Sequence, residues 1–146
     1  MAESLDGKCQ ALLGMPPVEA FAVPKVTPVG GVYLFTENGQ DLYAGRTRRA
    51  IGTRIRNHFG ANPSAATLAW LLARDETGRK ATYTKVGSRS ELIVELLFRT
   101  AYDSAKARIR NMQVRYVHEP DPLRQALLEI YVAVATQARY NDFATH

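Results

Sequence analysis

The sequence predicts an α/β (α+β) fold, a small three-stranded antiparallel sheet flanked by helices. Three patterns carry that reading. Two short β-branched and aromatic runs, 30–35 and 41–45, bracket Asn38-Gly39, a dipeptide that readily takes up the positive φ of a tight hairpin. The run 112–117 alternates apolar and polar residues with the period of a strand. Apolar residues elsewhere recur at helical spacing, as Ile51, Ile55 and Phe59 do at steps of four.

Taken in order, residues 1–29 form an N-terminal arm packed on the domain. Within it 5–13 is a short helix stopped by Met15-Pro16-Pro17, and Pro24 and Pro28 keep the following stretch extended. The domain proper is 30–146. After the hairpin, 50–59 is a helix on which Arg54 and His58 share one face. Gly60 to Ser64 breaks the chain. Residues 61–111 then form a helical insertion: a helix capped at Ser64 or Thr67, running to Arg74 and closed by Gly78; a strand or linker at 82–86; and a long helix capped at Ser88 or Ser90, from Glu91 to Arg110. Trp70, Leu71 and Leu72 belong to helix core. The third strand follows, and Asp121-Pro122 opens a last apolar helix reaching Gln137.

Composition narrows the class. At 46% hydrophobic and 23% charged residues the 146-residue chain is an ordinary globular domain rather than a disordered one. One cysteine, Cys9, excludes an internal disulfide and a Cys-rich zinc site. No apolar run approaches the ~18 residues of a membrane span, and no basic-then-apolar leader opens the chain. The expected location is cytoplasmic, with no membrane partner. The net charge of +5 is concentrated: Arg46, Arg48, Arg49, Arg54 and Arg56 lie between Leu42 and Gly60 without one acid. Guanidinium forks suit phosphate, so the patch points to a nucleic acid.

Gly31-Val32-Tyr33 and Tyr43-Ala44-Gly45 stand ten residues apart, tyrosine to tyrosine, on the two arms of the hairpin. Arg54 and His58 follow on the next helix, Glu129 interrupts the apolar last helix, and Asn141 lies just past it. This arrangement resembles the GIY-YIG nuclease superfamily, and 114–141 looks most like the N-terminal nuclease domain of the excision-repair protein UvrC. Residues 30–60 and 112–142 carry the likeness, and 61–111 have no match in the minimal module. Ala44 replaces the family's isoleucine, and the loop from Gly45 to Arg54 is slightly longer.

The resemblance implies a GIY-YIG-like fold and a metal-dependent endonuclease that hydrolyses DNA phosphodiester bonds, a repair role included. Tyr33, Tyr43, Arg54, His58 and Glu129 are the expected catalytic residues. Glu129 is the metal ligand for Mg²⁺ or Mn²⁺, one hard carboxylate serving an ion held otherwise by waters and phosphate. Arg54 grips a nonbridging oxygen. A tyrosine, its pKa lowered by Arg54 and the metal, or His58, takes the proton of the attacking water. Arg46, Arg48, Arg49, Arg56 and Asn141 are the expected nucleic-acid contacts, Asn141 also orienting Glu129 or the site backbone. RNA remains open as a substrate, and a homodimer or partner protein is expected to supply targeting. The competing reading is a non-catalytic nucleic-acid-binding module on the same scaffold.

Overall fold

The structure, a computed structural model of the chain, describes residues 4–24, 29–61, 66–77 and 96–141. The strand or linker at 82–86, the stop at Gly78, the caps at Ser64, Ser88 and Ser90, the helix start at Glu91, and Pro28 lie outside them. The chain is mixed α and β and divides into two units, one of residues Met1–Arg56 with Asn111–His146, the other Asn57–Arg110.

In the first unit, α1 (Leu5–Gly14) begins where the Ser4 hydroxyl accepts a hydrogen bond from the Gly7 N–H at 3.0 Å. The prolines at 16 and 17 follow its end, where neither can supply an amide to continue the ladder. The sheet has four strands, not the three expected from sequence. Strand β1 (Val18–Glu19) adds to the open side of β4 (Gln113–His118), with Val18 opposite Val114. Two residues between a proline pair and a 3-10 turn (Ala20–Ala22) are too few to show alternation, so only tertiary pairing reveals the strand.

Strands β2 (Gly31–Glu37) and β3 (Gln40–Thr47) form the hairpin, and the sheet order is β1-β4-β2-β3. The turn carries left-handed backbone at Asn38 (φ 52°) and Gly39 (φ 78°), matching the right-handed twist of the strands. The ladder slips once: Phe35 faces Tyr43 but Thr36 faces Asp41, leaving Leu42 as a bulge residue.

Because side chains alternate along a strand, the sheet has two distinct faces. Val32, Leu34 and Ala44 pack with Cys9 and Leu12 of α1 and with Leu128, Val132 and Ala133 of α5 (Pro122–Thr136). Each large apolar side chain buried there contributes about 1.5–3 kcal/mol. Tyr33, Phe35, Tyr43 and Gly45 point to the opposite face. There α2 (Ile51–Asn57) lies close, since a Cβ on Gly31 would meet Ile51 Cδ1 at 2.9 Å.

Helix α5 starts as the sequence predicts: the Asp121 side chain accepts from the Arg124 N–H at 3.1 Å and Pro122 takes the first turn. It stops at Gln137, in left-handed backbone (φ 52°), with Ala138 N–H donating to Ala133 C=O at 3.1 Å.

Helix α2 is shorter than its apolar periodicity predicts. It ends at Asn57, and the Gly60 N–H donates to the Asn57 carbonyl at 3.4 Å in the turn that follows. In the second unit, α3 (Thr67–Thr77) and α4 (Leu96–Arg110) pack around Trp70, whose ring lies 5.1 Å from Phe98 and 5.3 Å from Tyr102. Trp70 and Leu72 are buried, as core residues. Helix α3 runs one turn past Arg74, where the Thr77 hydroxyl donates to the Ala73 carbonyl at 2.7 Å. Among the described residues no helix is long and apolar enough to cross a membrane.

Candidate functional site

The two tripeptides are steric devices before they are chemical ones. Gly31 has no room for a side chain: a Cβ would run into the carbonyl oxygen of Val117 on β4 and into Ile51. Gly45 lies directly opposite Tyr33 in the ladder. A Cβ there would occupy the space of the Tyr33 ring carbons and hydroxyl. The phenol of Tyr33 therefore lies flat across β3, using the gap that Gly45 leaves. The Phe35 ring meets it edge-on at 5.7 Å.

Tyr33 is 1% exposed, and its hydroxyl has a charged partner in the Arg54 side chain, which donates a hydrogen bond to it. Helix α2 is what delivers that guanidinium. Tyr43 faces Phe35 and so is the diagonal neighbour of Tyr33 on the same face. Both phenols are held above their ordinary pKa. For Tyr33 burial is the main cause, the neighbouring Tyr43 adds to it, and Arg54 opposes it. For Tyr43 burial leads again, the charge of Glu129 adds, and Arg54 and Arg46 oppose. The sequence-based expectation is of a tyrosine lowered by Arg54 and a metal together; in the chain by itself Arg54 does not lower either phenol. Desolvation of the phenolate outweighs one guanidinium.

Glu129 belongs to the other side of the sheet. It projects from α5, its side chain 16% exposed, and its Oε1 lies 3.4 Å from Nη1 of Arg46, which alternates onto that side with Ala44. Burial raises the carboxyl above its ordinary range and Arg46 pulls it back. Its charge is felt at both phenols. Arg46 and Tyr33, Tyr43, Arg54 and Glu129 thus form one electrostatic cluster around β3.

The remaining expected residues divide. Arg48 and Arg49 are exposed on the loop between β3 and α2, where the Thr47 hydroxyl accepts from the Arg49 N–H at 3.0 Å. Arg56, expected among the nucleic-acid contacts, instead builds the fold: its Nη2 donates to the carbonyls of Phe21 at 3.0 Å and Val23 at 2.6 Å, anchoring the N-terminal arm. Asn141 likewise spends its amide on backbone. Its Oδ1 accepts from the Ala44 N–H at 2.7 Å and its Nδ2 donates to the Ala44 carbonyl at 2.9 Å. Of its two expected roles, the one that orients site backbone has this geometry. His58 does not share a helix face with Arg54. It lies one residue past α2, in the second unit, and is fully buried.

No family model, curated protein or solved structure matches the chain.

Sequence reasoning took Gly31 and Gly45 as motif letters and missed what they do. Glycine inside a strand signals a close approach, and that signal was present at both. It missed a second network altogether. Asp41 accepts from the Thr36 hydroxyl at 2.9 Å and from Arg115 Nη2 at 3.2 Å, while Arg115 Nη1 donates to the Leu13 carbonyl at 3.0 Å. These residues are far apart in sequence, and only the sheet register joins them.

For a divalent cation the donor set fits one mode of binding. Among the described residues no three His, Cys, Asp or Glu side chains converge. A single half-buried carboxylate suits Mg²⁺, which keeps several waters and relies on substrate phosphate. The raised carboxyl would be drawn into its charged form by such an ion.

Proposed function

We propose that the protein is a Mg²⁺-dependent endonuclease that hydrolyses phosphodiester bonds in DNA, within the GIY-YIG superfamily its motifs resemble. The observation that carries this reading is the Arg54 hydrogen bond to the Tyr33 phenol above Gly45, with Tyr43 and Glu129 coupled to it through charge. A half-buried guanidinium held beside two phenols is placed to meet negative charge. The phosphodiester transition state supplies it.

In this reading Arg54 does two things. It holds the Tyr33 oxygen as an acceptor, which fixes the guanidinium over β3, and it offers positive charge to a nonbridging phosphate oxygen. Neither phenol is ionised at neutral pH in the free protein, so both serve as positioning groups. Glu129 would hold the cation, whose chemistry when bound is to polarise phosphate and water. Arg46, Arg48 and Arg49 receive the flanking phosphates.

The test uses plasmid, branched and single-stranded DNA, with an RNA duplex beside them, in Mg²⁺, Mn²⁺ or EDTA. Cleavage should need the metal and fall about 10²–10³-fold in Glu129→Ala and in Arg54→Ala. Cleavage that survives both EDTA and Glu129→Ala would remove Glu129 from the mechanism.

One observation favours a second reading, a binding module without chemistry. Arg46 already neutralises Glu129, and burial keeps both phenols protonated. Such a protein would bind DNA with steep salt dependence and show no metal-dependent cleavage on any substrate.

A further inference from the structure

Helix α5 is apolar on both sides, and only one side is used. Leu128 and Val132 enter the core, while Leu123, Leu127, Ile130, Tyr131 and Val134 stay exposed, Leu123 and Val134 at 68% each. A helix apolar all round is normally buried all round. The outward residues are not scattered. Leu123, Leu127, Ile130 and Val134 follow steps of four, three and four, the spacing of a coiled-coil seam whose complement is another helix of the same kind. Glu129 lies on the flank of the helix away from this stripe, so the seam is separate from the candidate site.

We infer that this stripe is a homodimer interface, in which α5 of two copies packs antiparallel about a two-fold axis. The reading is independent of the nuclease proposal. A two-fold interface is self-complementary, and here the pairing is explicit. With the axis between Leu127 and Ile130, each Leu127 meets the partner's Ile130 and each Leu123 meets the partner's Val134. On one border of the seam Ala126 is small enough for close approach. On the other, the Tyr131 hydroxyl donates to Asp6 Oδ1 at 2.6 Å, which sets an exposed acid and a ring where the partner's Arg124 arrives. In each chain the Nε of Arg124 donates to Glu119 Oε1 at 2.9 Å, which fixes where that guanidinium stands. A cation over that ring, beside that carboxylate, is the favourable arrangement. No charged side chain lies within the seam, so no like charges oppose one another.

Five large side chains in one stripe, with Ala126 and the Asp6–Arg124 border around them, have the apolar centre and polar rim of a protein interface. Nucleic acid is a poor occupant of a face whose centre carries no cation, and a bilayer surface would want a border without the acid Asp6.

Sedimentation equilibrium of the full chain should give a dimer. Leu127→Glu combined with Val134→Glu should weaken it by about 100-fold or more. Both side chains are substantially exposed, so circular dichroism and melting of the monomer should be unchanged. Oxidation should link the double variant Leu123→Cys with Val134→Cys into a covalent dimer. Leu123→Cys alone should not link, because antiparallel packing separates the two copies of that residue by roughly 16 Å. A wild-type chain that stays monomeric to ~100 µM, a double-Glu variant that still dimerises, or ready linkage of Leu123→Cys alone would each overturn the inference.

Discussion

At Gly45 a missing side chain does more for the site than most side chains present. The Tyr33 ring fills the gap, so Gly45→Ala should force the phenol off its rotamer and away from Arg54, costing about 1–3 kcal/mol by overpacking. Urea unfolding measures the loss. Tyr33→Leu should recover part of the stability and none of the activity. Glu129 makes the opposite case, a side chain whose charge the fold does not want. Its carboxyl is raised in the folded chain relative to its ordinary 4.5. A raised acid adds stability below the unfolded value, and that stability is lost as pH rises through the folded one. The ionised carboxylate therefore destabilises the protein at neutral pH. Glu129→Gln should shift the urea midpoint upward at pH 7, and the difference should vanish below about pH 4. At this scale the sequence revealed which residues to watch. It did not reveal the direction of the phenol shifts, because burial is a property of the assembled sheet and not of any neighbour in the chain.

The elements show where local signals suffice. Asn38-Gly39 determined the hairpin, Asp121-Pro122 the start of α5, and the period-two run the strand β4, because each effect acts within a few residues. Strand β1 depends on what lies across the fold, which periodicity cannot show, and periodicity alone ran α2 two residues too far. The end of α5 offers a prediction of its own. Gln137 sits in left-handed backbone (φ 52°), where a side chain costs about 1–2 kcal/mol that glycine does not pay. After the added entropy of an unfolded glycine, Gln137→Gly should still stabilise the protein by about 0.5–1 kcal/mol. Calorimetry should register this as a rise of a few degrees in Tm.

At the scale of the whole molecule the chain divides into two units, with breaks at 57 and 110. Each unit has its own buried cluster, one beneath the sheet and one around Trp70. What no local pattern reveals is how the first unit closes. Its outermost strand, β3, is shielded by the chain's own C-terminal segment: Arg139 and Tyr140 donate backbone hydrogen bonds to the carbonyls of Asp41 and Leu42 at 3.2 and 2.8 Å, and Asn141 clasps Ala44. Asn141→Ala should cost about 1–3 kcal/mol by stranding the Ala44 amide and carbonyl. Deleting the chain from 139 onward should do something different in kind. It would leave a bare, sticky rim of peptide groups that another molecule can zip onto, so the shortened protein should clump with rising concentration, visible in light scattering, while the intact chain stays clear. Residues 139–141 would then act less as an appendage than as a chaperone carried in cis.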